Sequence, residues 1–341
     1  MTVVVVGEAV IDLVDTPTGT RAVPGGSPAN TAAALAALGM HAALRGRLST
    51  DADGGRLRGH LQAAGVGLDD LLTVAAPSTV IRAHLEADGS ARYEADLRGC
   101  ADLGWQPDEL RRPLPAGTTL VITGSLAASE EPGALALEHW WTALAATGST
   151  LLAYDPNLRP ALTTTDADRV RARVGRFIAG SHLVKASVED LAWLAPDADP
   201  AQVLTAWVSA PRGPLVAVLT RGAAGAVALT RGGLRVSVPA VPVEVVDTIG
   251  AGDTFMAALC AQACEAVRTA RRTDPHVDPA VAMAAWLADA ATLRTALTYA
   301  AHAAALTCTK VGCQPPDAAA VRVSLTPRAG HGARQAPAVA Q

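Results

Sequence analysis

The chain has 341 residues, of which half are hydrophobic and only 3% aromatic, and its 28 basic and 32 acidic side chains leave a net charge of −4. That balance excludes the electrostatic footprint of a protein that binds nucleic acid or an anionic membrane, and it demands a core built from Ala, Val and Leu. No window approaches the ~18 uninterrupted apolar residues of a bilayer span, the apolar start lacks a basic stretch and is broken by Glu8 and Asp12, and the five cysteines form no CxxC, so a soluble protein of a reducing cytoplasm is expected.

The β-branched run at 3–6, ended by Gly7, reads as a buried strand of a parallel sheet. Ser27 as N-cap, Pro28 in the first helical position and Gly39 as the stop bound a helix over 27–38. A second helix is expected over 53–64. Strand-like segments at 79–86 and 91–96 flank the turn pair Asp88-Gly89, and this hairpin reads as part of a small β lid. Strands at 120–123, 150–154, 182–185 and 215–219 then alternate with helices at 133–146, 166–178 and 187–194. Hairpin strands at 226–230 and 234–238 follow, then Ala-rich helix over 252–270 and 279–307. The Pro, Ala, Gly and Arg of 326–341 predict a disordered tail. Such alternation implies an α/β fold, a mostly parallel central sheet with helices on both faces. Ligands of these sheets sit at the carboxyl ends of the strands.

Two loops stand out. In the first, Val246-Asp247-Thr248-Ile249-Gly250-Ala251-Gly252-Asp253 leads into a helix. The small residues Gly250, Ala251 and Gly252 let backbone amides approach a ligand, and amides at a helix start favour an anion such as a phosphoryl group. Asp253, at the mouth of this hole, is either a helix cap or a base that takes a proton from an attacking hydroxyl. In the second, Pro24-Gly25-Gly26-Ser27-Pro28-Ala29-Asn30 opens the first long helix. Its glycines allow close backbone approach to sugar hydroxyls, with Asn30 one turn further on. An ordinary flexible loop and cap is the alternative.

Together the two strings resemble the signatures of the ribokinase-like (PfkB) sugar kinase family, and the form G-G-S-P-A-N resembles its fructokinase branch. The resemblance covers about 3–312, with the motifs in family order. It implies one kinase domain over 1–325 with a lid from roughly 9–25 and 74–102, and Asp253 as catalytic base beside the amides of Gly250, Ala251 and Gly252. By the same resemblance, Gly25, Gly26 and Asn30 face the sugar, and Asp12 of Gly7-Glu8-Ala9-Val10-Ile11-Asp12 binds paired hydroxyls, as a carboxylate with two acceptor oxygens is suited to do. Asp155-Pro156-Asn157-Leu158-Arg159 resembles a D-x-N-x-R block, which places Arg159 on sugar or phosphate and Asp155 and Asn157 near metal-bound water. Thr220, Gly222 and Gly225 match T-x-G-x-x-G, which implies contact with ATP phosphates or ribose, and His302 falls in the small-residue wall around adenine.

Departures are present as well. The segment from Lys185 stands where the family has N-x-x-E, with Ser187 for the Asn and Asp190 for the Glu; a role with nucleotide and Mg²⁺ and a plain helix cap are equally good readings. Backbone near Asp247 and Ile249 is implied as a seat for K⁺. Ala95 and Asp96 replace lid aromatics, and Arg98 is a possible contact to a polar or acidic substrate. The implied activity is ATP-dependent, Mg²⁺-assisted phosphorylation of a small sugar, fructose first. Open alternatives are a 2-keto-3-deoxygluconate or nucleoside kinase, or a silent sugar-binding regulator. The resemblance also implies that a homodimer forms through the lid. No P-loop G-x-x-x-x-G-K-[ST] occurs.

Overall fold

In the computed structural model, which describes residues 1–16, 19–85 and 91–326, the run TVVVV forms β1 (Thr2–Val6), buried throughout. Side chains alternate across a strand, so Val3 and Val5 enter one core layer and Val4 and Val6 the other. The further strands are β2 (Val10–Thr16), β3 (Gly19–Gly25), β4 (His41–Arg45), β5 (Arg47–Ser49), β6 (Leu72–Val74), β7 (Val80–Leu85), β8 (Ala91–Glu94), β9 (Thr118–Gly124), β10 (Leu151–Asp155), β11 (Leu183–Ser187), β12 (Val216–Thr220), β13 (Ala226–Thr230) and β14 (Arg235–Val238).

Eight of them form the main sheet in the order β14-β13-β12-β11-β10-β9-β1-β4. Pairing is parallel from β4 to β12 and antiparallel from β12 to β14. The chain leaves β1 on one side to reach β4 and returns on the other with β9, so the order reverses at β1/β9. Such a reversal opens a crevice at the strands' carboxyl ends. A smaller sheet, β3-β2-β7-β8, grows from the first crossover. It occupies the segments expected to form the lid, and β5 pairs with β6 beside it. The turn at Asp88-Gly89 and the tail from 327 lie outside the described residues.

The two core layers differ in chemistry. On the side of Val3 and Val5, helices Ser27–Ala37, Ala251–Thr273 and Ala290–Cys308 pack through buried alanines, among them Ala34, Ala257, Ala300 and Ala303. Small side chains let these helices approach the sheet and each other closely. The opposite layer collects the bulk: Trp105, Trp141, Tyr154 and Phe177. Tyr154 stacks on Phe177 at 4.9 Å, and Trp141 tilts against the same ring at 5.7 Å. All five cysteines are free. No single helix among the described residues is long and apolar enough to cross a membrane.

Several expectations need correction. The stretch at 279–307 is two helices, Pro279–Trp286 and Ala290–Cys308, bent by 98°. Asp289 breaks it by accepting from the amides of Ala291 and Thr292, which starts a new helix. A last helix, Ala318–Leu325, capped by Asp317, was not anticipated. Neither was β4, whose sequence HAALR holds no β-branched residue. Tertiary pairing to β1 makes it a strand. Ser27 is not the N-cap: Gly26 holds that position, and the Ser27 hydroxyl is used elsewhere.

Candidate active site

The helix Ala251–Thr273 begins in the crevice. Gly250 sits at its N-cap with φ 77°, and a Cβ there would come within 2.2 Å of Cys313 Sγ, so both the backbone and the space require glycine. The Ala251 amide turns back to the Thr248 carbonyl at 3.2 Å, so it is withdrawn from the expected anion hole. The amides of Gly252 and Asp253 have no acceptor among the described residues, as the first turn of a helix leaves them.

Asp253 is only 7% exposed. Its Oδ1 accepts from Ser27 Oγ at 2.6 Å, and its Oδ2 accepts from Asn30 Nδ2 at 2.9 Å. The two loops singled out in the sequence therefore meet at this one carboxylate. Asp253 does not cap its helix. Ser27 went unrecognised because a Ser before Pro at a helix start reads as a cap. The signal that would have found it is its spacing of three from Asn30, which puts both on one helix face.

The expected sugar side lies across β2 and β3. Asp12 is half-buried, and burial pushes its carboxyl up to about 6, with the Arg159 charge opposing. A Cβ on Gly25 would lie 2.1 Å from Asp12 Oδ2, so glycine there makes room for the carboxylate. Gly26 has φ 98°, and a Cβ there would meet the Glu8 carbonyl at 2.9 Å. Arg159 is exposed and held by its own loop, donating from Nη1 to Asn157 Oδ1 at 2.7 Å and to the Leu158 carbonyl at 3.0 Å. In the lid, Arg98 pairs with Asp96 at 2.9 Å.

On the other side of Asp253 a mostly apolar cavity of about 760 Å³ runs from Gly252 and Thr248 past Thr220, Gly222 and Gly225 to Ala301 and Cys308. Gly225, at φ 80°, lets the loop turn under the Val238 carbonyl, which a Cβ would meet at 2.1 Å. The expected nucleotide loop thus lines this cavity, whereas His302 does not. Its Nδ1 bonds Ser324 Oγ at 3.0 Å, and its neighbours Ala301 and Ala305 form the wall. The helix period explains the difference, since adjacent residues point about 100° apart. A smaller cavity of about 280 Å³, lined by Leu204, Arg221 and Arg235, includes none of Asp12, Asn30 and Asp253.

Asp190 is bonded on both carboxylate oxygens. Its Oδ2 accepts from the Ser187 amide and hydroxyl, both at 2.8 Å, and its Oδ1 from the Leu158 amide at 2.7 Å. Ser187 and Asp190 form a capping box. Both Asp190 oxygens and the Ser187 hydroxyl are thus engaged, in the cap and by the Leu158 amide. The Asp247 side chain accepts from the Ile249 amide at 3.0 Å and the Gly312 amide at 2.7 Å, which ties the loop to the chain after 308; the seat expected for K⁺ is the backbone, apart from these oxygens. Ile249 lies in that loop with an exposed side chain. Among the described residues no three His, Cys, Asp or Glu side chains converge to hold a metal.

Beneath Gly252, Lys185 Nζ lies 2.8 Å from Asp155 Oδ2, and both residues are buried. Burial pushes the Asp155 carboxyl up to about 6, with Lys185 opposing and Asp190 and Asp253 adding to the rise.

These features coincide with a family pattern. Residues 1–272 match that of the pfkB family carbohydrate kinases. A fructokinase of Klebsiella pneumoniae is 33% identical over 259 residues, which cover 75% of this chain and 82% of that one. Probable fructokinase-4 of Arabidopsis thaliana is 31% identical over 320 residues, or 91% of each chain. In three dimensions the fold is similar to that of a fructokinase with bound ATP from Xylella fastidiosa, with TM-score 0.81 and 24% identity over 94% of this chain and 97% of the other. It is also similar to a Vibrio cholerae fructokinase double mutant bound to fructose, ADP and a potassium ion, with TM-score 0.79 and 24% identity over 95% and 98%. The chain belongs to the pfkB family of carbohydrate kinases, and its fold is ribokinase-like.

Proposed function

We propose that the protein is an ATP-dependent fructokinase with Asp253 as its general base. One observation carries the reading: Asp253 is fixed by Ser27 and Asn30 between the Asp12 side of the crevice and the mouth of the 760 Å³ cavity. The cavity suits a nucleoside, with an apolar wall at Ala301 and Ala305 for a base and glycines at 222 and 225 for the sugar and phosphates. Gly252 and Asp253 present open amides where the γ-phosphate would arrive. The sugar binds against Asp12, Gly25, Gly26 and Asn30, with Arg159 at the rim.

In the reaction, the acceptor hydroxyl gives its proton to Asp253 as its oxygen bonds to the γ-phosphorus. The bridging P–O bond breaks, and its electrons leave with ADP. Amides of the first helical turn stabilise the charge on the transferring group, and Mg²⁺ carried by the phosphates neutralises the rest. Fructose is favoured by the fructokinases at about 30% identity, which cover most of the chain.

The test is ADP release from MgATP with fructose, ribose, 2-keto-3-deoxygluconate, glucose and adenosine. Fructose turnover that falls at least ~10²-fold in Asp253→Asn is the expected result. Turnover with another acceptor replaces fructose as substrate. Sugar binding without any ADP release overturns the kinase reading and leaves a sugar-binding regulator.

A further inference from the structure

Strand β12 divides the residues around it between two cavities. Side chains alternate across a strand. Thr220, with Gly222 just beyond, lines the 760 Å³ cavity, while Leu219 and Arg221 line the cavity of about 280 Å³ on the opposite face. On β13, Ala226 and Val227 divide in the same way. The two cavities therefore stand back to back across a single layer of backbone. The floor of the smaller one is apolar, with Leu204 of the helix Pro200–Ser209 packed beside Leu219 and Val227. Leu229 continues this face, and Arg235, its direct partner across β13 and β14, brings a guanidinium to the rim. That rim is charged and unfinished. Arg221 Nε is buried without a partner, and a buried donor in a native fold calls for an acceptor. Arg221, Arg235 and Asp199 all line the cavity, yet none joins an ion pair among the described residues. Asp199, the N-cap residue of the helix, does not cap it. Two guanidiniums against one carboxylate leave the rim with one positive charge in excess.

We infer that this smaller cavity is a second ligand site, for a small carboxylate with an apolar body, and that its occupancy tightens nucleotide binding on the other face of the strand. The carboxylate accepts from Arg221 Nε and from Arg235, both charged donors, and the body lies against Leu204, Leu219 and Val227. A cavity of 280 Å³ is about twice the size of one that holds benzene, which sets the ligand at roughly ten non-hydrogen atoms. Arg221 is the link between the faces. Its amide donates to the Gly225 carbonyl at 2.8 Å, its carbonyl accepts from the Ala224 amide at 2.9 Å, and its Nη2 donates to the Ala224 carbonyl at 2.9 Å. It thus braces the turn that carries Gly222 and Gly225. An anion on Nε leaves Nη2 on Ala224 and fixes the guanidinium, so the turn is held in the shape that lines the nucleotide cavity. The site itself goes beyond the kinase reading; the coupling rests on the nucleotide half of that reading.

Calorimetric titration of the full chain with 3-phenylpropionate and with octanoate tests the site. At least one should bind with a Kd of about 1 mM or tighter, and 3-phenylpropionamide, an aryl body without the charge, at least ~10-fold more weakly than its acid. Arg235→Ala, at an exposed position that tolerates truncation, should weaken the carboxylate about tenfold. Leu229→Trp, which fills the cavity, should abolish its binding. No binding of either carboxylate, equal binding of the amide, or unchanged affinity in Arg235→Ala overturns the site. The coupling is read by titrating MgAMP-PNP, a non-hydrolysable ATP analogue, with and without saturating carboxylate. Nucleotide affinity should rise at least ~5-fold in the wild type, and Arg235→Ala should need about tenfold more carboxylate for the same rise. Nucleotide that displaces the carboxylate puts it in the larger cavity and overturns the site. Unchanged nucleotide affinity overturns the coupling alone. A wild type that binds carboxylate but no MgAMP-PNP upholds the site and overturns the coupling together with the kinase reading.

Discussion

Ser27 Oγ donates to Asp253 Oδ1 across 2.6 Å and 226 positions of sequence, joining the starts of two helices at one carboxylate. With Asn30 on the other oxygen, the carboxylate proposed as the base is held in one orientation. Ser27→Ala removes a bond to a charged group, worth on the order of 1.5–3 kcal/mol. Because only the orientation of the carboxylate is lost and not the carboxylate itself, a loss in kcat/KM at the low end of that range, at least about tenfold, is expected, against at least ~10²-fold for Asp253→Asn. Equal losses in the two variants would show that Ser27 does more than orient the base.

Gly25 and Gly59 make opposite predictions. Gly25→Ala drives a methyl into Asp12 Oδ2, so the KM for sugar should rise at least ~10-fold with little change in kcat, as expected for lost ground-state binding. Gly59 lies inside the helix Ala52–Ala63 with nothing near its would-be Cβ. Gly59→Ala should stabilise the protein by roughly 0.5–1 kcal/mol, read as a shift of the denaturation midpoint, and leave kinetics untouched.

Asp12 carries a pH prediction. Its carboxyl titrates near about 6, and the ionised form accepts from two hydroxyls. Sugar KM should therefore fall as pH rises through 6, by about tenfold from pH 5 to 7, and level off above. In Asp12→Asn the KM should be high and flat over this range.

A second buried acid affects stability. Asp102 is raised from 3.8 to about 7 by burial, with the Thr79 hydroxyl bond opposing and Glu8 adding to the rise. The folded chain thus binds a proton that the unfolded chain has released. Stability from this group is full below pH 3.8 and declines as pH rises toward 7. Asp102→Asn, which mimics the protonated form, should raise the thermal midpoint at pH 8 and leave it unchanged at pH 4. A midpoint lowered at both would show that the acid itself is needed.

The βα rhythm of the main sheet was legible because its strands are short apolar runs bounded by glycine and polar turns. The glycine loops at 25–26 and 250–252 were legible because close backbone approach leaves few residue choices. What escaped depended on distant partners. β4 is a strand only through β1, and Ser27 became a ligand of Asp253 only when the second helix arrived. Nothing local in the sequence shows that the Leu158 amide bonds Asp190 or that the Gly312 amide bonds Asp247. His302 missed the cavity wall by one residue, a matter of helix phase.

The separation between Asn30 and Asp253, 223 positions, also has a meaning for the ribosome. At the usual 5–20 residues per second, roughly 10–45 s pass between their syntheses. Over that interval Ser27 and Asn30 have no Asp253 to bond, and a nascent chain shorter than 253 residues lacks that carboxylate altogether.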